Sequence, residues 1–277
     1  MGKVWGESIL TLLHIVVLAL VQGITEFLPI SSSGHLILVP VFTGWPDQGL
    51  VLDVAVHVGT LGAVMAYFWR DLWSMVAGLG RLARGREDAG ARLAGLVIVA
   101  TVPVIAAGFV VNAYMYDDLR SLTVIAWTML GFGIVLYVTD RLGMTVRRIE
   151  HTTLGDAVVI GLAQVLALVP GTSRAGITMS AGRMLGLERT DAARFSMLLS
   201  IPAILGAGGL KSWELYQADD ADLTANTLVA AGLAFTAAWL AIFMMMAWLR
   251  HATFTPFVIY RVVLGAFLLG HAYGAFA

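Results

Sequence analysis

Residues 22–35, QGITEFLPISSSGH, constrain this chain more than any other stretch. They lie inside an apolar run that begins at Ser8 and is long enough to enter a membrane. Yet they hold a carboxylate (Glu26), a proline (Pro29), three consecutive serines (Ser31, Ser32, Ser33), a glycine (Gly34) and a histidine (His35). A helix facing lipid has no place for such a set. Irregular backbone at membrane depth persists only where protein buries it or where it lines a wet cavity. An ionisable group at that depth marks a functional site by default. The plainer alternative is two ordinary helices joined by an external polar turn.

Only 13% of the 277 residues are charged and 59% are hydrophobic, where soluble domains carry about 25% charged residues. The chain is therefore a polytopic membrane protein. A formal net charge of -1 gives no basic surface for nucleic acid. The absence of cysteine removes disulfides, a thiol nucleophile and cysteine metal sites. One lysine, Lys3, precedes the first apolar segment, and no small-residue cleavage site precedes the polar motif, so that segment is expected to be retained.

About 20 apolar residues cross a bilayer as helix. Residues 8–25 are helical in character, and the apolar piece after the motif, 36–42, is too short to cross before Gly44-Trp45-Pro46. The expectation is a re-entrant pair: one helix in, a polar turn at depth, a short helix out. Six spans are expected at 50–69, 93–116 (with Pro103), 121–139, 195–210 (with Pro202), 223–249 and 256–276, the last interrupted by Arg261. Residues 157–183 repeat the broken pattern, with Pro170-Gly171-Thr172-Ser173-Arg174-Ala175-Gly176 at the break.

Arginines assign one face. Arg70, Arg81, Arg84, Arg86 and Arg92 flank one loop. Arg141, Arg147 and Arg148 lie in a second, Arg183, Arg189 and Arg194 in a third, and Arg250 in a fourth. These ends belong in the cytoplasm, and the acidic loops at 117–120 and 211–222 belong outside. The chain then divides into two units, 1–150 and 151–277, each a re-entrant helix-loop-helix plus three transmembrane helices. Three crossings per unit force opposite orientations, so the expected fold is all-α with two inverted-topology repeats and a site at their interface. Both termini fall outside. Aligning Pro29 on Pro170 pairs Ser32 with Ser173.

Arg174 stands alone in an uncharged stretch. Placing an arginine at the bilayer centre costs roughly 2.5–3.5 kcal/mol, so Glu26, a bound anion or both must offset it. Gly171, Thr172, Ser173 and Gly176 surround it with hydroxyls and backbone amides, and a helix is expected to restart near Ala175. A guanidinium, hydroxyls and a helix N-terminus together suit an anion, phosphate above all. The bland reading is a structural Arg–Glu pair. Gln22 and Glu26 are four apart and share a helix face. Together they suit a hard divalent cation, Mg²⁺ or Ca²⁺, with phosphate oxygens completing its shell. The serines offer a nucleophile and His35 a base or second nucleophile, while one serine caps the helix expected to begin near Gly34. His14, His57 and His271 read as core or interfacial residues. The whole set fits hydrolysis of a phosphate ester or anhydride whose apolar tail stays in the bilayer.

QGITEFLPISSSGH together with PGTSRAGIT resembles the undecaprenyl-diphosphate phosphatase family, long associated with bacitracin resistance. The similarity extends to LDVAVHVGTLGAV and to IYR near the end. The resemblance implies a bacterial cytoplasmic-membrane hydrolase, acting on the outer face, that converts the C55 polyprenyl diphosphate to the monophosphate for cell-wall synthesis with a divalent cation. It places the acidic motif on Gln22 and Glu26, with Gln22 where many members have glutamate. It places the essential serine on Ser32, the histidine on His35, and the phosphate-binding motif on Ser173 and Arg174, with Thr178 in support. Ser31, Ser33 and Gly171 complete the expected phosphate grip. Ser32 is the expected nucleophile, activated by His35 or Glu26. The alternatives are a flippase or transporter of polyprenyl phosphate, and an ion-coupled carrier of small anions. Gly182 and Gly186 form a small-xxx-small pattern compatible with a homodimer.

Overall fold

The computed structural model describes residues 12–46, 49–114, 118–217 and 225–275. Those residues form α-helices with short 3-10 turns, and among them no strand occurs; one isolated bridge joins Arg147 and Leu187. The order is α1 (Leu12–Thr25), α2 (Ser32–Thr43), α3 (Gly49–Tyr67), α4 (Trp69–Leu82), α5 (Ala89–Tyr114), α6 (Leu122–Leu142), α7 (Leu154–Val165), α8 (Arg174–Met184), α9 (Arg189–Gln217), α10 (Ala225–Leu249) and α11 (Thr255–Ala272). Six of them, α3, α5, α6, α9, α10 and α11, are long and apolar enough to cross a membrane. They coincide with the six expected spans. The shorter α1, α2 and α7 fall below the roughly 30 Å hydrocarbon thickness at 1.5 Å per residue.

Three expectations change in detail. The segment after the first span is a helix, α4, rather than a loop. Its sequence WRDLWSMVAGLGRL packs one side on α5 and leaves Trp69, Trp73, Val76 and Leu82 exposed. The interrupted helices restart earlier than expected, at Ser32 and Arg174 instead of near Gly34 and Ala175. Residues 218–222 of the predicted acidic loop lie outside the described residues, and 211–217 continue α9.

Helices approach closely where small residues permit, because lipid supplies no hydrophobic drive between them. A Cβ on Gly59 of α3 would stand 2.2 Å from the Ala231 carbonyl oxygen of α10, so only glycine allows that contact. Gly182 serves the same end within the chain: its missing Cβ makes room for Ala192, and Gly186 takes a left-handed turn at φ 85°. The small-xxx-small pattern is thus occupied by the chain's own packing.

The arginine-rich ends gather at one end of the bundle. Buried Asp140 at the close of α6 takes Arg183 Nε at 3.1 Å and Arg189 Nε at 2.7 Å, and accepts the Phe254 amide at 3.3 Å just before α11. Arg147 pairs with Asp156 at 2.5 Å, and Arg194 with Asp71. Arg183, expected in a loop, is wholly buried and also bonds the Gly143 and Leu187 carbonyls. At the opposite end, Phe42 at the close of α2 meets His271 at the close of α11, and His14 of α1 meets Trp45. The α1–α2 hairpin is therefore open toward the far end of α11. The α7–α8 hairpin is open toward the arginine end. Their tips meet at the middle of the bundle, where Gly34 packs against the Gly171 Cα.

Candidate functional site

The two tips share one backbone device. Ser31 (φ 74°) and Ser173 (φ 70°) are the non-glycine residues with positive φ among the described residues. Each caps the helix that follows by accepting the amide three residues on, Gly34 N at 3.4 Å and Gly176 N at 3.1 Å. L-residues adopt this conformation at a cost of order 1–3 kcal/mol, and such strain persists where surrounding structure imposes it. The shared shape corrects the alignment of the two motifs. Ser31 corresponds to Ser173, so Ser32 corresponds to Arg174, not to Ser173. In this register Gln22 falls on Gln164, and both are fully buried.

At the first tip, Glu26 is the hub. Ser32 Oγ donates to Glu26 Oε2 at 2.6 Å, Gln22 Nε2 donates to the same oxygen at 2.9 Å, and Arg174 Nη2 donates to Oε1 at 3.1 Å. Residues 148 positions apart in sequence are thus brought together. A carboxylate surrounded by three donors accepts as an anion. It also dictates the orientation of Gln22: only the amide nitrogen can face a carboxylate. Gln22 Oε1 is left buried with no partner. Arg174 Nη1 is likewise buried and unpartnered.

The second tip is held by glycine. Gly171 sits at φ 89°, and a Cβ there would fall 2.1 Å from Thr128 Oγ1 and 2.7 Å from the Ile125 carbonyl oxygen. Thr128 in turn donates to the Pro170 carbonyl at 2.7 Å. Thr178, expected to support phosphate binding, uses its hydroxyl inside the protein: it lies 2.6 Å from Ser196 Oγ of α9 and bonds the Arg174 carbonyl. Ser173 is buried in its cap. Ser33 is exposed, 3.4 Å from Ser31 Oγ.

His35 is placed differently from Ser32. Its Nδ1 bonds the Ser31 carbonyl at 2.6 Å and its Nε2 meets the Tyr260 hydroxyl at 2.5 Å. Since a carbonyl only accepts, Nδ1 carries the proton, and Nε2 accepts from Tyr260. The acceptor on the Ser32 hydroxyl is Glu26. Of the other histidines, His57 donates Nδ1 to the Asp53 carbonyl within α3, while the rings of His14 and His271 lie tilted against Trp45 and Phe42.

Tyr260 and Arg261 were not candidates at the level of sequence, although Arg261 stood out as the charge inside the last span. Their contacts run to a histidine and to backbone carbonyls, which no side-chain pattern advertises. Among the described residues no cluster of three His, Asp or Glu gathers. The nearest candidate for a divalent cation is the Glu26 carboxylate, but its oxygens are taken by Ser32, Gln22 and Arg174, and Gln22 turns its amide nitrogen rather than Oε1 toward it. A hard cation completed by phosphate oxygens and water would fit there only with the Gln22 amide turned over and Arg174 withdrawn from the carboxylate.

A family model described as bacitracin resistance protein BacA matches residues 15–267. Undecaprenyl-diphosphatase 1 of Rhodospirillum rubrum is 55% identical over 95% of this chain and 95% of its own length. The undecaprenyl-diphosphatases of Roseobacter denitrificans and Jannaschia are 51% and 53% identical, each over 95% of this chain and the full length of the relative. The chain belongs to the bacitracin resistance protein BacA family.

Proposed function

We propose that this chain is an integral membrane phosphatase that hydrolyses undecaprenyl diphosphate to undecaprenyl phosphate and inorganic phosphate. The relatives that carry this name align over nearly the whole chain. The observation that carries the mechanism is the chain of contacts Ser32–Glu26–Arg174, which joins a hydroxyl, a carboxylate and a guanidinium at the meeting point of the two tips. A structural Arg–Glu pair would account for the last two, but not for a serine donating to the same carboxylate.

In this reading the diphosphate enters with its polyprenyl tail in the bilayer. Arg174 turns its unpartnered Nη1 and then Nη2 to the terminal phosphoryl oxygens, neutralising charge that builds there. Glu26, relieved of Arg174, takes the Ser32 proton. Ser32 Oγ attacks the terminal phosphorus, the anhydride P–O bond breaks, and the polyprenyl monophosphate leaves. Water then attacks the phosphoserine and releases phosphate, returning the proton to Ser32. His35, protonated on Nδ1 and bonded to Tyr260, fixes the first turn of α2 around Ser31. With the Gln22 amide turned over, Glu26 and Gln22 Oε1 would hold a divalent cation, Mg²⁺ or Ca²⁺, which would supply further neutralisation of phosphate charge.

The same reading makes 1–150 and 151–277 inverted-topology repeats in the bacterial cytoplasmic membrane, with both termini and the α1–α2 hairpin toward the outer side. Arginine placement supports that orientation. A carrier would use Arg174 but has no use for a serine bonded to Glu26.

The test is release of inorganic phosphate from C55 diphosphate by the purified protein with Mg²⁺. Turnover that stops on chelation and returns with the cation is expected. A folded protein that binds the lipid and releases no phosphate overturns the reading.

A further inference from the structure

Arg261 stands midway along α11 and is completely buried. Among the described residues no carboxylate lies within ion-pair distance of it. Its guanidinium instead bonds four main-chain carbonyls. Nε takes Met129 and Nη2 takes Thr128, both at 3.2 Å and both on α6. Nη1 takes Pro29 at 3.1 Å and Nη2 takes Gly171 at 2.9 Å.

The last two contacts are equivalent. Pro29 lies two residues before Ser31, and Gly171 two residues before Ser173, the two left-handed caps. One guanidinium therefore holds the same carbonyl of both tips. Burying a charge without a counter-ion is expensive, and apolar replacements of buried charges are often neutral or stabilising. Stability alone does not explain Arg261. Geometry does: irregular backbone in an apolar interior needs donors for its carbonyls, and a planar fork supplies them in fixed directions. The direct tie between the tips, Arg174 to Glu26, is given up in the proposed reaction when Arg174 turns to phosphate. Arg261 contacts neither phosphate-binding nor nucleophilic side chains, so its tie persists through turnover.

We propose that Arg261 is a positioning residue that sets the separation and register of the Ser32 tip and the Arg174 tip. This rests on the phosphatase reading for its kinetic consequence, and on geometry alone for its structural one. Without Arg261, Ser32 keeps its acceptor Glu26 and Arg174 keeps its N–H groups for phosphate, but the attacking oxygen and the held phosphorus lose alignment. A misplacement of about 1 Å costs about a hundredfold in rate. The loss falls on kcat rather than on KM, because ground-state grip on the lipid is unchanged.

The experiment compares wild type, Arg261→Met and Arg261→Lys as full-length protein in lipid nanodiscs, with C55 diphosphate and Mg²⁺. In parallel, spin labels at Ser33→Cys and Leu166→Cys report the distance between the tips; the chain has no native cysteine to interfere. Arg261→Met should lower kcat by about a hundredfold with KM within about threefold, and should broaden the label distance distribution. Arg261→Lys, which keeps the charge but not the fork, should lose about tenfold in kcat. A folded Arg261→Met protein with wild-type kcat, or with an unbroadened distance distribution, overturns the proposal. If the methionine variant does not fold, the lysine variant decides by the same two readouts. If wild type itself releases no phosphate, the phosphatase reading fails, and the label distances still decide whether Arg261 ties the tips.

Discussion

Ser32 donates to Glu26 at 2.6 Å, whereas His35, on the next turn of the same helix, is bonded to Ser31 and Tyr260. The proton acceptor for Ser32 is therefore the carboxylate. Glu26→Gln should lower kcat by at least about a hundredfold, in the range seen when one group acting in the transition state is removed. Tyr260→Phe and His35→Ala should each cost less, and the double variant should cost no more than His35→Ala, since both act through one contact. Steady-state kinetics on the four proteins checks this. Additive losses from Tyr260→Phe and His35→Ala would show that the two residues act separately.

Gly171 and Gly34 face each other, but they do not bear the same constraint. A Cβ on Gly171 meets Thr128 Oγ1 at 2.1 Å on a backbone with φ 89°, while one on Gly34 meets its nearest atom at 3.3 Å. Gly171→Ala should destabilise the protein by about 1–3 kcal/mol through overpacking and a left-handed alanine. Gly34→Ala should cost clearly less. Thermal unfolding in one detergent compares them, and equal melting temperatures would contradict the packing at the second tip.

Gln22 turns its amide nitrogen to Glu26 and leaves its amide oxygen buried without a hydrogen-bond partner. Replacing it by glutamate adds a carboxylate ligand where a divalent cation is proposed to sit. Gln22→Glu should lower the Mg²⁺ concentration for half-maximal phosphate release, and should make activity without added cation lower still, because two adjacent carboxylates repel. An unchanged Mg²⁺ titration would remove Gln22 from the cation site.

Much of this arrangement was legible in the sequence. The six spans follow from apolar run length, and the two broken motifs stand out because each places polar groups where lipid forbids them. Glu26 was a named partner for Arg174 because an isolated intramembrane arginine demands one. Other features were hidden for physical reasons. Pro29 and Pro170 look like natural anchors for aligning the motifs, but the backbone torsions of Ser31 and Ser173 set the register, and torsions leave no letter in the sequence. The Trp69–Leu82 segment reads as an arginine-bearing loop until its apolar residues are placed on one helical face. Arg261 makes its contacts to main-chain carbonyls, which every residue has.

The arginine-rich connections gather at one end and the C-terminal ends of α2 and α11 at the other. In the proposed topology these ends lie on opposite sides of the membrane. Single cysteines at exposed Arg86 and exposed Ser121 should then label from opposite sides of sealed vesicles. Labelling of both from the same side would contradict the inverted arrangement.

In the proposed mechanism two tips, one from each half of the chain, form a single phosphatase site. A double-mutant cycle on phosphate release from C55 diphosphate tests it most directly, with Ser32→Ala from the first tip and Arg174→Ala from the second. Wild type should turn over, each single variant should lose at least about a hundredfold, and the double variant should lose little more than the worse single, as groups acting as one unit do. Full additivity, or wild-type turnover in Ser32→Ala, would contradict it.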